Sequence, residues 1–220
     1  MAAGRGSRMR PLTDTIPKPL INVVDQPILD HIAAALPSEI TEIILVINYK
    51  AEQIKAHCGM EYFGRPVTYV EQEDSAGGTG AALRCAAPHI TGTFLVVNGD
   101  DIYGKVGLTN IVKEAHAMLY HTSDHPEDFG VISATEDHYL IAIQEKPPHP
   151  QTDMVNIGGF VLSPAIFNYQ TDIHTNGEVY LTDMVTDYTK KYPIKLIEQE
   201  LWLPIGRPQD IPVAEAKLRA

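Results

Sequence analysis

Residues 2–20, AAGRGSRMRPLTDTIPKPL, gather Arg5, Arg8, Arg10 and Lys18 around two glycines with a single acid, Asp14, in a chain whose formal charge is −11. An acidic protein repels polyanions at long range, so a compact basic loop within it predicts a local phosphate pocket rather than a nucleic-acid surface. Gly4 and Gly6 leave the backbone free to turn amide groups toward an anion, while Arg8 adds a guanidinium fork and Lys18 a point charge. A solvated loop is the plainer reading of any one of these arginines; their spacing around the glycines argues for the pocket. Two other phosphate loops are disfavoured. Met9 stands where GxGxxG needs its third glycine, and no GxxxxGK[ST] string occurs.

Three further stretches carry chemistry. NGDD (98–101) follows an apolar run and places Asp100 where a strand ends. A carboxylate there suits Mg²⁺, which takes oxygen ligands and bridges protein to substrate phosphates; the plainer reading is a turn-capping aspartate, and Asp101 has the weaker claim. QEKPP (144–148) sets an acid beside a base, Glu145 to accept from sugar hydroxyls and Lys146 to neutralise a second phosphate, although an exposed Glu-Lys pair is ordinary. GGTG (77–80) opens a helix and lets a flat ligand approach the backbone, or is simply a turn with Thr79 as its cap. Cys58 and Cys85 are far apart in helix-like stretches, which predicts reduced, buried thiols without a function. His116, His121 and His125 lie close together near an expected loop but lack the partner spacing of a metal site, so they are read as surface histidines.

The elements that must position these residues follow from the hydrophobic pattern. EIILVIN (42–48) and TFLVVN (93–98) are short, nearly continuous Val- and Ile-rich runs, as for strands buried on both faces of a parallel sheet. QPILDHIAAAL puts Ile28, Ile32 and Leu36 on one helical stripe, AEQIKAHC follows the first run, and GTGAALRCAA precedes the second. This alternation predicts a doubly wound α/β fold with right-handed crossovers and its ligands beyond the strand C-termini. After about residue 105 the pattern changes. Residues 130–147 read as two strands around a turn at 136–138, MVNIGGFVLSP as a third, LTDMVTDYTKKY as a helix, PIKLIEQ and LWLPI as short strands, and residues 208–220 as a closing helix with Pro208 near its start. At 220 residues and 44% hydrophobic content, with no repeat or low-complexity linker, one domain is expected over 1–220, its halves meeting near 105. No apolar run approaches the roughly 20 residues of a membrane helix and no signal-peptide core is present, so a cytoplasmic protein without membrane or nucleic-acid partners is expected.

In this order the pieces resemble the sugar-1-phosphate nucleotidylyltransferases, the NDP-sugar pyrophosphorylases. The likeness runs from AAGRGSRMRPLT and PKPL through QEDSAGGTG and VVNGDD to FGV, EKP, VNIGGF and GEVYLTD. It implies a Rossmann-like, mostly parallel sheet with a hairpin-rich sugar-binding insertion in the second half. It implies that Ala3, Gly4, Gly6 and Ser7 contact a nucleoside triphosphate, that Arg8 and Lys18 hold its phosphates, and that Gln72, Gly78 and Thr79 face the base. Gly130, Glu145, Asn156 and Glu178 would contact the sugar, Lys146 the sugar phosphate, and Asp100 Mg²⁺. Arg8, Lys18, Asp100 and Lys146 would carry catalysis. The reaction implied is attack of a sugar-1-phosphate oxygen on the α-phosphorus with release of pyrophosphate. AAG at the loop is nearer the uridylyl and thymidylyl members than the guanylyl type, which leaves a GTP-using mannose-1-phosphate guanylyltransferase as an alternative. A homo-oligomer is compatible with all of this.

Two departures from the family pattern shape the expectations. Pro204 in LWLPIGRPQD stands where many relatives carry a second metal-binding aspartate, and Asp210 lies too far along to replace it. A catalytically reduced, nucleotide-sugar-binding regulatory homologue is the reading that departure favours. Relatives also carry about five apolar residues before the first loop as a central strand, whereas here Met1 stands directly before Ala2. The first central strand is therefore expected to be missing, with either the natural chain beginning upstream or this form compromised.

Overall fold

A computed structural model of the chain describes residues 1–73, 77–169 and 173–219, so residues 74–76 of the QEDSAGGTG motif lie outside the described residues. The first half alternates as its apolar pattern demands. Helix α1 (Ile28–Ala35) leads to strand β1 (Ile43–Ile47), then to α2 (Ala51–Cys58) and strand β2 (Arg65–Glu71), followed by α3 (Gly78–Ala86) and strand β3 (Phe94–Val96). β1 and β2 pair in parallel, Ile43 opposite Val67 and Ile47 opposite Glu71. α1 turns Ile28, Leu29, Ile32 and Ala33 into the core, where burying each large aliphatic side chain is worth about 1.5–3 kcal/mol.

The second half adds β4 (Asp101–Tyr103), α4 (Lys105–Ile111), β5 (Ala117–Thr122), β6 (Gly130–Ala134), β7 (Leu140–Glu145) and β8 (Met154–Leu162). After these come α5 (Leu181–Thr189), β9 (Lys195–Glu198), β10 (Trp202–Pro204) and α6 (Asp210–Arg219). Its sheet runs β7-β6-β8-β5-β9, with β3 joining along β8. The doubly wound α/β class is as expected, and the predicted hairpin is β6 and β7. The strand directions are mixed: β5 and β9 are parallel, but β8 is antiparallel to β3, β5 and β6. The short turn at 136–138 returns β7 antiparallel to β6. His121 lies within β5 rather than in a loop and bonds through Nδ1 to the Gln199 carbonyl, while His116 Nδ1 meets the Tyr188 hydroxyl.

One gap in the sheet bears on function. Among the described residues no strand lies between β1 and β3. Only Met1 and Ala2 bridge them, at the upper end. The Ala2 amide donates to the Val46 carbonyl at 2.7 Å, the Gly99 amide donates to the Met1 carbonyl at 2.7 Å, and the Met1 amine donates to the Val97 carbonyl at 2.8 Å. Below this bridge an apolar slot of about 350 Å³ runs between Ile43–Val46 and Phe94–Val97, walled by Leu29, Ile32, Leu83 and Ala86 from α1 and α3. Burial pushes the Met1 amine down to about 6, with the Asp100 charge opposing.

Candidate active site

Directly above the bridge, the chain opens a cleft of about 670 Å³ at the C-terminal edge of the strands, the place where an open α/β sheet binds its ligand. Its front wall is the basic loop. Gly6 holds φ +60°, a left-handed turn in which a Cβ would press within 3.0 Å of Thr13 and Lys18, so glycine is required there by the protein's own backbone. The Thr13 hydroxyl donates to the Gly6 carbonyl and the Tyr49 hydroxyl to the Thr13 carbonyl, at 2.9 and 2.7 Å, which fixes the loop against α2's approach. Fully buried Met9 anchors its far side. Gly4 differs. A Cβ there would meet nothing within 4 Å, so protein packing does not demand its bare backbone, and the space beside it faces the cleft.

Ala3, Gly4, Gly6, Ser7, Arg8, Lys18, Gln72, Gly78, Thr79, Asp100 and Glu178 all line this cleft, bringing residues from six separate places in the sequence to one surface. Arg8 is exposed, whereas Arg10 is engaged with Asp14 at 3.2 Å on the surface. Lys18 is 7% exposed and its Nζ donates to Asp100 Oδ2 at 2.7 Å. A buried ammonium needs such a partner, because removing it from water unpaired costs far more than the pair recovers. Gln72, 4% exposed, turns a side-chain amide with both donor and acceptor toward the cleft.

Asp101 sits behind Asp100. Its Oδ2 accepts from Trp202 Nε1 at 3.3 Å, and burial first, then the Asp100 charge, pushes its carboxyl up to about 7. Pro204 stands directly opposite Asp101 in the β4–β10 ladder. Asp210 accepts from the Gly206 and Arg207 amides at 2.8 and 2.7 Å, so its carboxylate caps the entry to α6 and does not face the phosphate site. Among the described residues no cluster of three or more His, Cys, Asp or Glu surrounds a metal-sized point. Cys58 is buried beside Asp30, and burial pushes its thiol up to about 12, out of reactive range.

Gly130, Glu145, Lys146 and Asn156 gather beside the cleft rather than in its lining. Gly130 pairs with Glu145 across β6–β7 and with Asn156 across β6–β8. The Asn156 side chain accepts from the Gly158 amide at 2.9 Å and so shapes the turn within β8. Lys146 takes φ 44°, a left-handed conformation that ends β7 and swings its side chain out, held by its amide donating to the Phe129 carbonyl at 2.9 Å. Glu145 is exposed along its length, but crowding raises its carboxyl: loss of solvent first, with Lys146 opposing and Asp183 and Glu178 adding. Glu178 thus joins this group to the main cleft. Asn98 and Tyr180 also line the cleft. Both lie inside the NGDD and GEVYLTD motifs, though neither is among the site residues expected from the sequence.

This geometry can be set against known proteins. A sequence profile described as nucleotidyl transferase matches residues 1–220. A UTP–glucose-1-phosphate uridylyltransferase of Haloferax volcanii, AglF, is 31% identical over 232 residues, covering 100% of this chain and 95% of that protein. The bifunctional protein GlmU of Methanocaldococcus jannaschii is 34% identical over 215 residues, and the chain spans about half (51%) of its length. A solved structure described as a putative glucose-1-phosphate thymidylyltransferase from Bacillus anthracis, bound to sucrose, superposes with a TM-score of 0.89 at 26% identity, covering 99% of this chain and 93% of that one. A UDP-glucose pyrophosphorylase complexed with UDP-glucose shares the fold, with a TM-score of 0.87 at 20% identity over 99% of this chain and 96% of that one.

Proposed function

The chain belongs to the nucleotidyl transferase family, and on that premise we propose that it condenses a nucleoside triphosphate, UTP or dTTP, with a sugar-1-phosphate. The observation that carries this reading is the single cleft onto which the glycine loop, the Lys18–Asp100 pair, Gln72 and Glu178 converge. A sugar-phosphate oxygen forms the new bond to the α-phosphorus, and the bond to the β-phosphate oxygen breaks to release pyrophosphate. Both nucleophile and leaving group are already anions, so no general base is required. The protein's work is alignment and neutralisation. The open backbone at Gly4 admits the phosphates closely, and Lys18 shares its ammonium between Asp100 and an incoming phosphate. Arg8, at the exposed rim, follows the charge that develops on pyrophosphate, and Lys146 with Glu145 faces the sugar phosphate and hydroxyls.

The donor set fits a hard dication held mainly by substrate. Asp100 keeps 43% of its side chain exposed at the cleft edge, and Mg²⁺ is commonly held by one or two carboxylates with phosphates and water completing the shell. When bound there, Mg²⁺ would polarise the α-phosphate and template the two substrates. A second reading, a homologue that binds without turnover, is favoured by Pro204 opposite Asp101. A coupled pyrophosphate-release assay over UTP, dTTP and GTP with glucose-, N-acetylmuramate- and mannose-1-phosphate separates these. Turnover with UTP or dTTP and glucose-1-phosphate is expected, preference for GTP and mannose-1-phosphate would reassign the substrates, and silence on every pair overturns the enzyme.

A further inference from the structure

The strip 177–181 lies across the start of α3 and is fastened there by backbone. The Val179 amide donates to the Gly77 carbonyl at 2.9 Å, the Gly80 amide donates to the Val179 carbonyl at 2.8 Å, and the Leu181 amide donates to Thr79 Oγ1 at 3.1 Å. Contact this close needs glycine on the α3 side. A Cβ on Gly78 would lie 2.6 Å from the Val179 carbonyl oxygen, and one on Gly80 2.8 Å from Val179 Cγ1 and 3.2 Å from Met184 Sδ. Val179 therefore wedges between α3 and α5, while its neighbours Glu178 and Tyr180 both face the cleft beside Gln72, Gly78 and Thr79. Asn176 Nδ2 donates to Glu178 Oε2 at 3.0 Å and to the Tyr180 hydroxyl at 2.6 Å. His174 lies over the Tyr180 ring at 4.2 Å and bonds to Asp183 at 2.5 Å.

We propose that Thr79 and Gly80 are positioning residues for the sugar-1-phosphate: through the Val179 clip, the segment that meets the base sets Glu178 and Tyr180 for the second substrate. The inference rests on the nucleotidylyltransferase reading and goes beyond it. The Thr79 hydroxyl accepts from the Leu181 amide, so this residue of the cleft wall also ties that wall to the clip. Residues 77–80 and 178–181 are joined by these three bonds, so a ligand ordering one orders the other. Linkage then requires each substrate to raise the affinity of the other by the same factor.

Thr79→Val keeps the shape and backbone but leaves the Leu181 amide unpaired, and Thr79→Ser restores the acceptor. The expected result is a KM for glucose-1-phosphate raised about tenfold in Thr79→Val, a larger factor than any change in the UTP dissociation constant from calorimetry, with recovery in Thr79→Ser. Gly80→Ala should move the same quantity in the same direction. Equal loss for both substrates, no change for glucose-1-phosphate, or no recovery by serine overturns the proposal. If the unaltered chain releases no pyrophosphate, the nucleotidylyltransferase reading falls by itself. The clip is then judged by titrating glucose-1-phosphate with and without a non-hydrolysable UTP analogue: affinity enhancement by the analogue that Thr79→Val abolishes upholds it, and absence of enhancement or of binding overturns it.

Discussion

The two halves of the molecule close their sheets differently. In the second half β7, β6, β8, β5 and β9 form an unbroken sheet, with β3 laid along β8 and Phe160, Met118, Met184 and Tyr188 buried around it. In the first half, among the described residues, β1 and β2 meet the rest of the sheet only where Met1 and Ala2 bond across, above an apolar slot. Yet the basic loop, the part richest in chemistry, hangs from that bridge. The loop that opens the cleft is thus carried by the sparser of the two closures, while Glu145 and Asn156 stand on the continuous sheet.

The widest separation between the halves should come from core deletions. Phe160→Ala in β8 is expected to cost about 3–5 kcal/mol by denaturant unfolding. Ile44→Ala, on the wall of the slot, should cost about 1–2 kcal/mol, because its side chain already borders a void and leaves fewer contacts behind. Equal costs would mean the slot is not a weak seam. Next is Asp100→Ala, expected to lower kcat by 100-fold or more, roughly 3 kcal/mol of transition-state stabilisation, and also to lower Tm, because the buried Lys18 ammonium loses its partner. A lower Tm with kcat unchanged would put Asp100 in the scaffold alone.

Filling the slot tests the comparison from the other side. About five β-branched apolar residues placed before Met1 should pair with both strand edges and raise Tm by several degrees, equivalent to roughly 2 kcal/mol for a chain of this size. A polar extension of equal length should relieve only the burial penalty of the Met1 amine and stabilise less; if both stabilise equally or neither does, strand pairing is not what the slot offers. The smallest effect is electrostatic. Below about pH 6 the Met1 amine is charged in both folded and unfolded chains and its burial penalty is fully present. Between pH 6 and 8 the unfolded chain binds more protons, so stability rises with pH across that window by up to about 2 kcal/mol. The apolar extension, which converts the amine to an amide, should flatten this rise in Tm.

Strands with self-sufficient patterns were legible from sequence: Ile43–Ile47 and Phe94–Val96 sit inside the two Val- and Ile-rich runs, and the turn at 136–138 joins Gly130–Ala134 to Leu140–Glu145. Strands defined by remote partners were not. Ala117–Thr122 is buried at its start and half-exposed at its end, and only its pairing with Lys195–Glu198 and Met154–Leu162 makes it a strand. Asp101–Tyr103 likewise depends on Trp202–Pro204. At the site, residue types announced the loop and Asp100, but nothing local in Lys18 or Asp100 tells that they form an ion pair across 82 residues. The same holds for Thr79 and Leu181, 102 residues apart. Side-chain pairing at that range is a property of the folded chain and leaves no periodicity to read.

Lys146 shows what such a site asks of the chain. Its left-handed backbone is one that glycine adopts freely and a lysine adopts at a cost on the order of 1 kcal/mol. Glycine there would relax the turn and take away the ammonium in one change. On the proposed role of Lys146, the chain that folds best and the chain that would hold a phosphate there are different chains.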